Sequence, residues 1–459
     1  SLSSLEVYHH NACCVCQSHK QVEFRDRKLF TIVLANPPVM MAEELEVSFL
    51  HLDGHRTCTK LSASCTVSDA ARCLPLRPRS QWRAVLEGRT LHSDQVLGPL
   101  SDGGKIVLQA VCVALPEPPR SCIGRIGFAA IKKDASLVTW GWGHSGSDTS
   151  SLAEKLKGGV LQICGTTATA AFAAIKADGS VVTWGEAEYG GDSTRVSSKL
   201  TKGVVQICAT AAAFAATKID GSVVTWGDAQ RGGDSGHVAE KLMEGIVQVC
   251  STNAAFAATK ADGSVVTWGR AGYGGDSTLV EEKLKQGVIW TCHNQFAFAA
   301  LKADGSVVAW GETQHGGDSA CAAEKLSEGV VQICASAAAF AAIKADGSVV
   351  TWGSPQRGGD SKLVAKKLTQ GIVQICGTTN AFAAVAADGS VVTWGDAERG
   401  GDCTPVEQKL TEGVVQICGT TAAFAAIKAD GSVVTWGRAR YGGDSTPVAE
   451  KLVEGVLQI

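Results

Sequence analysis

Six side chains of metal-ligand type lie close together near the start of the chain: His9, His10, Cys13, Cys14, Cys16 and His19. A closed zinc site needs four ligands, commonly a Cys-x2-Cys pair followed by a second pair. The Cys-Cys-x-Cys spacing has no second pair of this kind. The pattern therefore favours a segment without metal, although the sequence does not settle whether these six residues bind one.

Motifs typical of catalysis are missing from the sequence. The ten histidines are scattered, none stands at diagnostic spacing from a carboxylate and a hydroxyl, and there is no Gly-x4-Gly-Lys loop. The repeated Asp-Gly pairs are explained by turn geometry. The repeated Gly-Gly-Asp-Ser, as at 190–193 and 232–235, favours a cap between a loop and a helix over an anion or metal site. We therefore predict a non-enzymatic protein without a cofactor.

Composition excludes several classes of protein. The 459 residues are 45% hydrophobic, which is ample for a packed core. No run of 18 apolar residues occurs, so we expect no membrane insertion. Lys and Arg total 42 against 45 for Asp and Glu, a net charge of −3, and nucleic acid is therefore not the expected partner.

Cysteines recur at one position of a repeat, each at the end of a Val-Val-Gln-Ile-Cys type of stretch. They are Cys164, Cys208, Cys250, Cys292, Cys334, Cys376 and Cys418. One cysteine per repeat in the same strand position is typical of a small buried hydrophobic residue rather than half of a disulfide. This pattern favours an intracellular, reducing compartment, without specifying the organelle.

The repeat is clearest in the tryptophans. Trp140, Trp184, Trp226, Trp268, Trp310, Trp352, Trp394 and Trp436 are separated by 44 residues once and then by 42 residues each time. A full unit contains a Val-x-Gln-Ile type of strand, Phe-Ala-Ala, Asp-Gly-Ser and Val-Val-Thr-Trp-Gly. Asp-Gly between two apolar runs is a strong hairpin signal, and Val-Val-Thr-Trp favours a strand. We predict three strands in each unit and stacked units such as propeller blades.

The number of blades can be counted between residues 122 and 459. Eight Phe-Ala-Ala segments are present, but the first, at Phe128, has no Gln-Ile strand before it. The last such strand, Val456 to Ile459, has no unit after it. We therefore expect a closed ring of eight blades, with seven as the alternative, in which this last strand completes the first blade.

Residues 172–192, which read FAAIKADGSVVTWGEAEYGGD, resemble the repeat of the regulator of chromosome condensation family. The resemblance recurs eight times over about 338 residues. It implies a β-propeller, usually seven-bladed, and the family includes guanine-nucleotide exchange factors and propellers attached to ubiquitin ligases. The expected fold class is thus mainly β, with 42-residue three-stranded blades and one small α+β domain.

That small domain is expected at residues 42–115, which resemble a ubiquitin-like β-grasp domain. The resemblance rests on a strand at 45–50, a turn at Asp53-Gly54, a helix start at 67–71, a strand pair at 82–91 and a last strand at 104–111. Residues 1–41 form an extension without a clear assignment. A proline-rich linker at 116–121 leads into the propeller at 122–459.

The residues that vary between repeats indicate where a partner would bind. The fourth residue after each Trp-Gly is Ser145 in the first unit and then Tyr189, Arg231, Tyr273, His315, Arg357, Arg399 and Tyr441. If the blades share one geometry, these side chains form a ring on one face, and Tyr and Arg are enriched at binding hot spots. The alternative is that long amphipathic side chains simply cover neighbouring turns.

We therefore expect a protein–protein interaction scaffold or an accessory subunit of a larger assembly. It would bind protein partners through the loop ring and the ubiquitin-like module. The alternative is a regulatory component of GTPase exchange or ubiquitin-ligase machinery. A third interpretation is a structural subunit held through broad surfaces.

Overall fold

The computed structural model describes residues 30–35, 44–51, 56–62, 80–86, 89–90, 105–114, 121–123, 127–141, 149, 152–166 and 171–456. The chain forms two compact units, the second of which continues from Pro116. Each unit is described by itself. The cluster from His9 to His19 lies outside the described residues, as do the helix start expected at 67–71 and Ser145.

The first six strands of the chain form one sheet. They are β1 Phe30–Ala35, β2 Glu44–His51, β3 Arg56–Ser62, β4 Ser80–Leu86, β5 Arg89–Thr90 and β6 Lys105–Ala114. The strand order is β3-β2-β1-β6-β4-β5. Strand β1 pairs with both β2 and β6, although the sequence analysis placed it in the extension. The ubiquitin-like assignment of 42–115 and its boundaries remain predictions.

The second unit is mainly β and contains eight three-stranded antiparallel sheets of the propeller-blade type, so the count of eight blades is confirmed. Blade 1 consists of Ser121–Ile123, Gly127–Ile131 and Leu137–Gly141, and blade 2 of Val160–Gly165, Ala171–Lys176 and Val181–Gly185. Blade 3 consists of Val204–Ala209, Ala213–Lys218 and Val223–Gly227, and blade 4 of Ile246–Ser251, Ala255–Lys260 and Val265–Gly269. Blade 5 consists of Val288–His293, Ala297–Lys302 and Val307–Gly311, and blade 6 of Val330–Ala335, Ala339–Lys344 and Val349–Gly353. Blade 7 consists of Ile372–Gly377, Ala381–Ala386 and Val391–Gly395, and blade 8 of Val414–Gly419, Ala423–Lys428 and Val433–Gly437.

Short helical segments connect the blades. A 3-10 turn follows the last strand of blades 2 to 8, at Ala187–Tyr189, Ala229–Arg231, Ala271–Tyr273, Thr313–His315, Pro355–Arg357, Ala397–Arg399 and Ala439–Tyr441. Further segments are the α-helices Ala153–Leu156 and Glu281–Leu284 and the 3-10 helices Thr194–Leu200, Gly236–Leu242, Thr278–Val280, Ala320–Ala322, Lys362–Leu368, Thr404–Lys409 and Thr446–Lys451. None of the helices described here is long and apolar enough to cross a membrane.

The predicted closure of the ring is wrong in one respect. The first strand of blade 1 is Ser121–Ile123, which pairs with Gly127–Ile131, so the C-terminal strand is not needed to complete that blade. This strand begins at the end of the segment predicted as a linker. In addition, Gly442 of blade 8 is exposed, whereas its six counterparts in blades 2 to 7 are buried. Among the described residues, the surface of blade 8 around Gly442 is therefore open.

Alternating side chains join consecutive blades. On the middle strand of blade 3, Ala213 and Ala215 point to one face and pack against Phe256 and Trp268 of blade 4. Small residues opposite large ones let the two sheets approach closely, and period-two alternation in a strand separates the two faces. Within each of blades 2 to 8, the phenylalanine stacks on the tryptophan of the neighbouring strand, with ring centroids 5.2–5.5 Å apart.

A tryptophan–glycine contact fixes each blade on the one before it. The indole Nε1 of Trp268 donates to the carbonyl oxygen of Gly232 at 3.0 Å, and Trp268 itself is fully buried. The same contact recurs for Trp226, Trp310, Trp352, Trp394 and Trp436. Gly232 has φ of +95°, and a Cβ there would lie 2.5 Å from Cδ2 of Phe256. Glycine is thus required both by the left-handed backbone and by the ring packed against it.

The Asp-Gly hairpin turns also link the blades. In blade 3, the amide and hydroxyl of Ser222 donate to Oδ1 of Asp220 at 2.9 and 2.6 Å. These hydrogen bonds hold the pKa of the Asp220 carboxyl below its usual range. The carbonyl of Gly221 accepts from the amide of Ile246, the first residue of blade 4, at 3.0 Å. The recurring aspartate therefore has a structural role, as turn geometry predicts.

Trp268→Ala should lower the free energy of unfolding by about 3–5 kcal/mol, because it removes a fully buried ring and the donor to Gly232. Urea unfolding measures the loss. Trp268→Phe, which keeps an aromatic ring, should cost less. A loss below about 1 kcal/mol for the alanine variant would show that the ring is not part of the core.

Gly232→Ala should cost about 2–4 kcal/mol, since it adds backbone strain and forces a methyl group against Phe256. Gly272→Ala is the matched control, because it lies in the corresponding short turn of the next blade and a Cβ there meets nothing within 4 Å. The melting temperatures of both variants would be measured and compared with that of the unaltered chain. Equal melting temperatures would contradict the role assigned to Gly232.

Candidate protein-interaction surface

The seven residues predicted from the variable position occupy equivalent sites in blades 2 to 8. Each of Tyr189, Arg231, Tyr273, His315, Arg357, Arg399 and Tyr441 is the last residue of its short 3-10 turn. We call this set the loop row. A glycine with φ between 90° and 97° follows each member. The turns of blades 2 to 8 therefore share one local geometry, as the prediction of a common position for these side chains assumed.

In blades 3 to 8, a side chain from the preceding part of the blade fixes the backbone of the turn. Oγ1 of Thr252 donates to the carbonyl oxygen of Tyr273 at 2.9 Å and also accepts from the amide of Ala255 at 3.1 Å. In blade 5 the same position is Asn294, whose Nδ2 donates to the carbonyl of His315 at 2.7 Å. Equivalent donations reach Arg231, Arg357, Arg399 and Tyr441. The loop row is therefore carried on a rigid backbone, which suits a binding surface.

Several side chains of the loop row have contacts within the chain. Arg231 lies 3.6 Å from the carboxylate of Asp228, and Arg399 lies 3.6 Å from that of Asp396. Arg399 also donates from Nη1 to Oγ1 of Thr379 at 3.0 Å. All members except Tyr441 are half-buried. The row thus presents ordered, partly accessible side chains rather than freely moving ones.

Blade 5 breaks the repeat with an aromatic cluster. Phe296 stands where blades 3, 4, 6 and 8 have alanine. Its ring lies 4.2 Å from that of His315, in a stacked arrangement, and 5.6 Å from that of Tyr273. The guanidinium of Arg270 lies 5.2 Å from the centre of the Tyr273 ring. We call Tyr273, Phe296 and His315 the aromatic cluster. In this cluster Phe296, from the loop before the middle strand of blade 5, contacts two members of the loop row.

His315 has an unsatisfied polar atom, and a groove lies beside it. Its Nδ1 is buried and has no hydrogen-bond partner. The groove has a volume of about 420 Å³ and is lined by His315, Gln314, Asp318, Ser354 and Gln356, among others. A buried polar atom without a partner costs free energy unless a ligand or water supplies the missing hydrogen bond. The cluster therefore combines an apolar surface with a hydrogen-bonding group.

The repeated Gly-Gly-Asp-Ser has a structural explanation. Oδ1 of Asp234 accepts from the amide of Gly236, at the start of a 3-10 helix, at 2.8 Å. Ser235 pairs its hydroxyl with that of Thr225 at 2.9 Å. The aspartate, rather than the serine, caps the helix. Across the described residues, no group of three or more His, Cys, Asp or Glu side chains is arranged to hold a metal ion.

Cys208, Cys250, Cys292 and Cys376 of the repeat are free thiols, as predicted, and so are Cys321 and Cys403. Sγ of Cys208 donates to the carbonyl of Val249 at 3.0 Å, and Cys250 is buried. Burial raises the pKa of the thiols of Cys208, Cys250 and Cys376 to about 12. Such thiols are protonated near neutral pH and are poor nucleophiles.

Sequence reasoning missed two parts of this surface. Phe296 was not singled out, although it replaces the usual alanine and lies only two residues before the recurrent phenylalanine. The residue before each loop-row member is exposed, and in blades 2 to 7 it is more exposed than the member itself. These exposed residues are Glu188, Gln230, Gly272, Gln314, Gln356, Glu398 and Arg440. They also vary between repeats, so a comparison of the repeats position by position would have identified them.

No protein-family model matches the chain, and no curated protein matches it. Solved structures similar to it include yeast RCC1 (Prp20) bound to Kap60, at 16% identity and a TM-score of 0.35, covering 69% of this chain and 83% of that one. Human WBSCR16 is 17% identical with a TM-score of 0.36, covering 76% and 100%. The computationally designed Ika8 protein is 13% identical with a TM-score of 0.32, covering 69% and 94%. Similarities of this size assign no function to the chain.

Stability should fall as the pH rises above about 9. The Cys250 thiol has an ordinary pKa of 9.0 and a folded pKa of about 12. The folded state therefore keeps a proton that the unfolded state loses, and the stabilisation present below pH 9 is lost progressively towards pH 12. Between pH 9 and 10 each such thiol should cost about 1 kcal/mol.

Urea unfolding at pH 8, 9 and 10 measures this dependence. Cys250→Ala should make it shallower. Cys321→Ala, at an exposed cysteine, is the control and should leave it unchanged. The same slope in all three chains would contradict the burial of the Cys250 thiol.

Proposed function

We propose that this protein is a non-enzymatic interaction scaffold or accessory subunit that binds a protein partner through the loop row. The aromatic cluster of Tyr273, Phe296 and His315 is the expected centre of the contact. A ubiquitin-like module in residues 42–115 would supply a second contact. Two linked contacts to one assembly would raise the overall affinity without a new interface.

The departure of blade 5 from the repeat is the observation that carries this proposal. The interior of the blades is nearly constant, because each blade must pack on the next one. A phenylalanine at a loop position where most blades have alanine adds apolar surface that the fold does not require. Aromatic residues and arginine are enriched in the centres of protein interfaces, and the guanidinium of Arg270 lies over the Tyr273 ring of the cluster.

The charges of the loop row favour a protein surface over a nucleic acid. Arg231 and Arg399 are each paired with an aspartate of the same turn, which reduces the positive charge offered to a phosphate backbone. Exposed Glu398 lies in the turn of Arg399, and exposed Glu188 in that of Tyr189. A mixed surface of aromatic, amide and charged groups matches the composition of protein interfaces.

Phe296→Ala combined with His315→Ala should weaken partner binding by about 2 kcal/mol or more, as expected for hot-spot residues. The full-length chain and the double variant would be used as bait in the native organism, with quantitative mass spectrometry of the captured proteins. Partners bound at the cluster should be depleted on the variant. Direct titration of a purified partner then gives the change in dissociation constant.

Asn380→Ala combined with Arg399→Ala is the matched control, because it removes the residue at the Phe296 position and the loop-row member of blade 7, which carries no part of the aromatic cluster. If both double variants retain all partners, the interface lies elsewhere and the proposal fails. A GTPase that exchanges nucleotide faster in the presence of the chain, or recovery of ubiquitin-ligase components, would favour the regulatory alternative.

A further inference from the structure

A groove between blades 6 and 7 contains residues that depart from the repeat. Six of the seven Gly-Gly-Asp-x segments in blades 2 to 8 have serine at the last position, whereas blade 7 has Cys403. Pro355 begins its 3-10 turn where the other turns have alanine or threonine. These two residues line one groove of about 630 Å³ together with Leu363, which is fully exposed. The fold does not require these departures, since the other blades form without them.

The change from serine to cysteine leaves a buried hydroxyl without its usual partner. In blade 6 the hydroxyl of Thr351 pairs with that of Ser361 at 3.0 Å, and the same pair recurs in blades 2, 3, 4 and 8. In blade 7 the partner position is Cys403, and the side chain of Thr393 makes no hydrogen bond within the part of the chain that the structure describes. Thr393 is only 8% exposed and lines the groove. A ligand in the groove could supply the missing hydrogen bond.

The charged side chains that line this groove already have partners. The pairs are Lys367 with Glu407 at 3.9 Å, Asp360 with Lys362 at 3.5 Å, and Asp402 with the amide of Thr404 at 2.8 Å. A charged ligand would therefore meet no unpaired counter-charge. Leu363, Val364 and Val391 offer apolar surface instead. The groove thus favours a ligand that is uncharged and mainly apolar.

We propose that Cys403 is a site of S-acylation and that the groove holds the hydrocarbon chain of the acyl group. A linear acyl group is uncharged and is apolar apart from one carbonyl. This chemistry matches a groove with apolar walls, one thiol and one hydroxyl that lacks a partner. The acyl donor is a thioester of a small carrier thiol, such as an acyl-coenzyme A.

The reaction exchanges one thioester for another. Sγ of Cys403, as the thiolate, attacks the carbonyl carbon, and the bond from that carbon to the carrier sulfur breaks. The proton lost by Cys403 ends on the departing carrier thiol. No oxidant or reductant is needed, because neither sulfur atom changes its oxidation state. The hydroxyl of Thr393 donates to the carbonyl oxygen of the acyl group.

Acyl transfer to the purified full-length chain tests the proposal. The chain is incubated with acetyl-, butyryl- or octanoyl-coenzyme A at mildly alkaline pH, and peptide mass mapping gives the rate of acylation at each cysteine. Cys321 is the internal comparison, because it is exposed whereas Cys403 is only partly so. Octanoyl transfer to Cys403 should be at least about tenfold faster than to Cys321, and this preference should grow with chain length, since each buried methylene adds hydrophobic stabilisation.

Two pairs of variants separate the roles of the apolar wall and of the hydroxyl. Leu363→Lys should abolish the dependence on chain length at Cys403. Leu279→Lys is the matched control, because Leu279 occupies the same repeat position in another blade and is equally exposed, and it should change nothing. Thr393→Val should slow acylation about fivefold at every chain length, and Thr393→Ser should restore the rate.

Acylation of Cys321 that is as fast as that of Cys403 would overturn the proposal. So would a rate at Cys403 that does not depend on the length of the acyl chain. A Leu363→Lys variant that behaves like Leu279→Lys would also contradict it, because Cys403 would then react as an accessible thiol without a groove for the chain.

Discussion

The contact between a tryptophan of one blade and a glycine of the blade before it governs the second unit. The indole hydrogen bond to the glycine carbonyl, 2.9–3.1 Å in six interfaces, accompanies a left-handed backbone at that glycine. The stacked phenylalanine fills the space where a side chain would otherwise lie. One contact thus satisfies a hydrogen-bond donor, excludes a Cβ and buries two rings. These requirements tightly constrain the residues at each interface between blades.

This constraint separates the residues that build the fold from those available for binding. Alanines, valines and the thiols of the first strands fill the interfaces, and the Asp-Gly turns join one blade to the next. What remains free to vary is the short turn after each tryptophan and the loop before each phenylalanine. The aromatic cluster of blade 5 arises where both of these positions depart from the usual residues, at His315 and Phe296.

The periodicity predicted most of the second unit, because each strand type has its own residue pattern. The three strands, the Asp-Gly hairpins, the buried tryptophans and the count of eight blades could all be inferred. The strand Ser121–Ile123 was missed, since Ser-Cys-Ile does not resemble the Val-x-Gln-Ile strands that begin the other blades. Closure of the ring was inferred from counting strands, but counting does not determine how far each blade rotates relative to the next. The contact between Phe296 and His315 also depends on residues 19 positions apart, which local patterns do not bring together.

Hydrogen–deuterium exchange of the monomeric chain, followed by mass spectrometry, tests most directly whether packing on a neighbouring blade stabilises each sheet. Local opening has a low free energy where few buried contacts must be broken. The middle strands of blades 3 to 7, which are covered on both faces, should exchange slowest. That of blade 8, whose surface around Gly442 is open among the described residues, should exchange measurably faster. Uniform exchange through all eight blades would show that each sheet is stable without its neighbours, which contradicts the role given to the tryptophan–glycine contact.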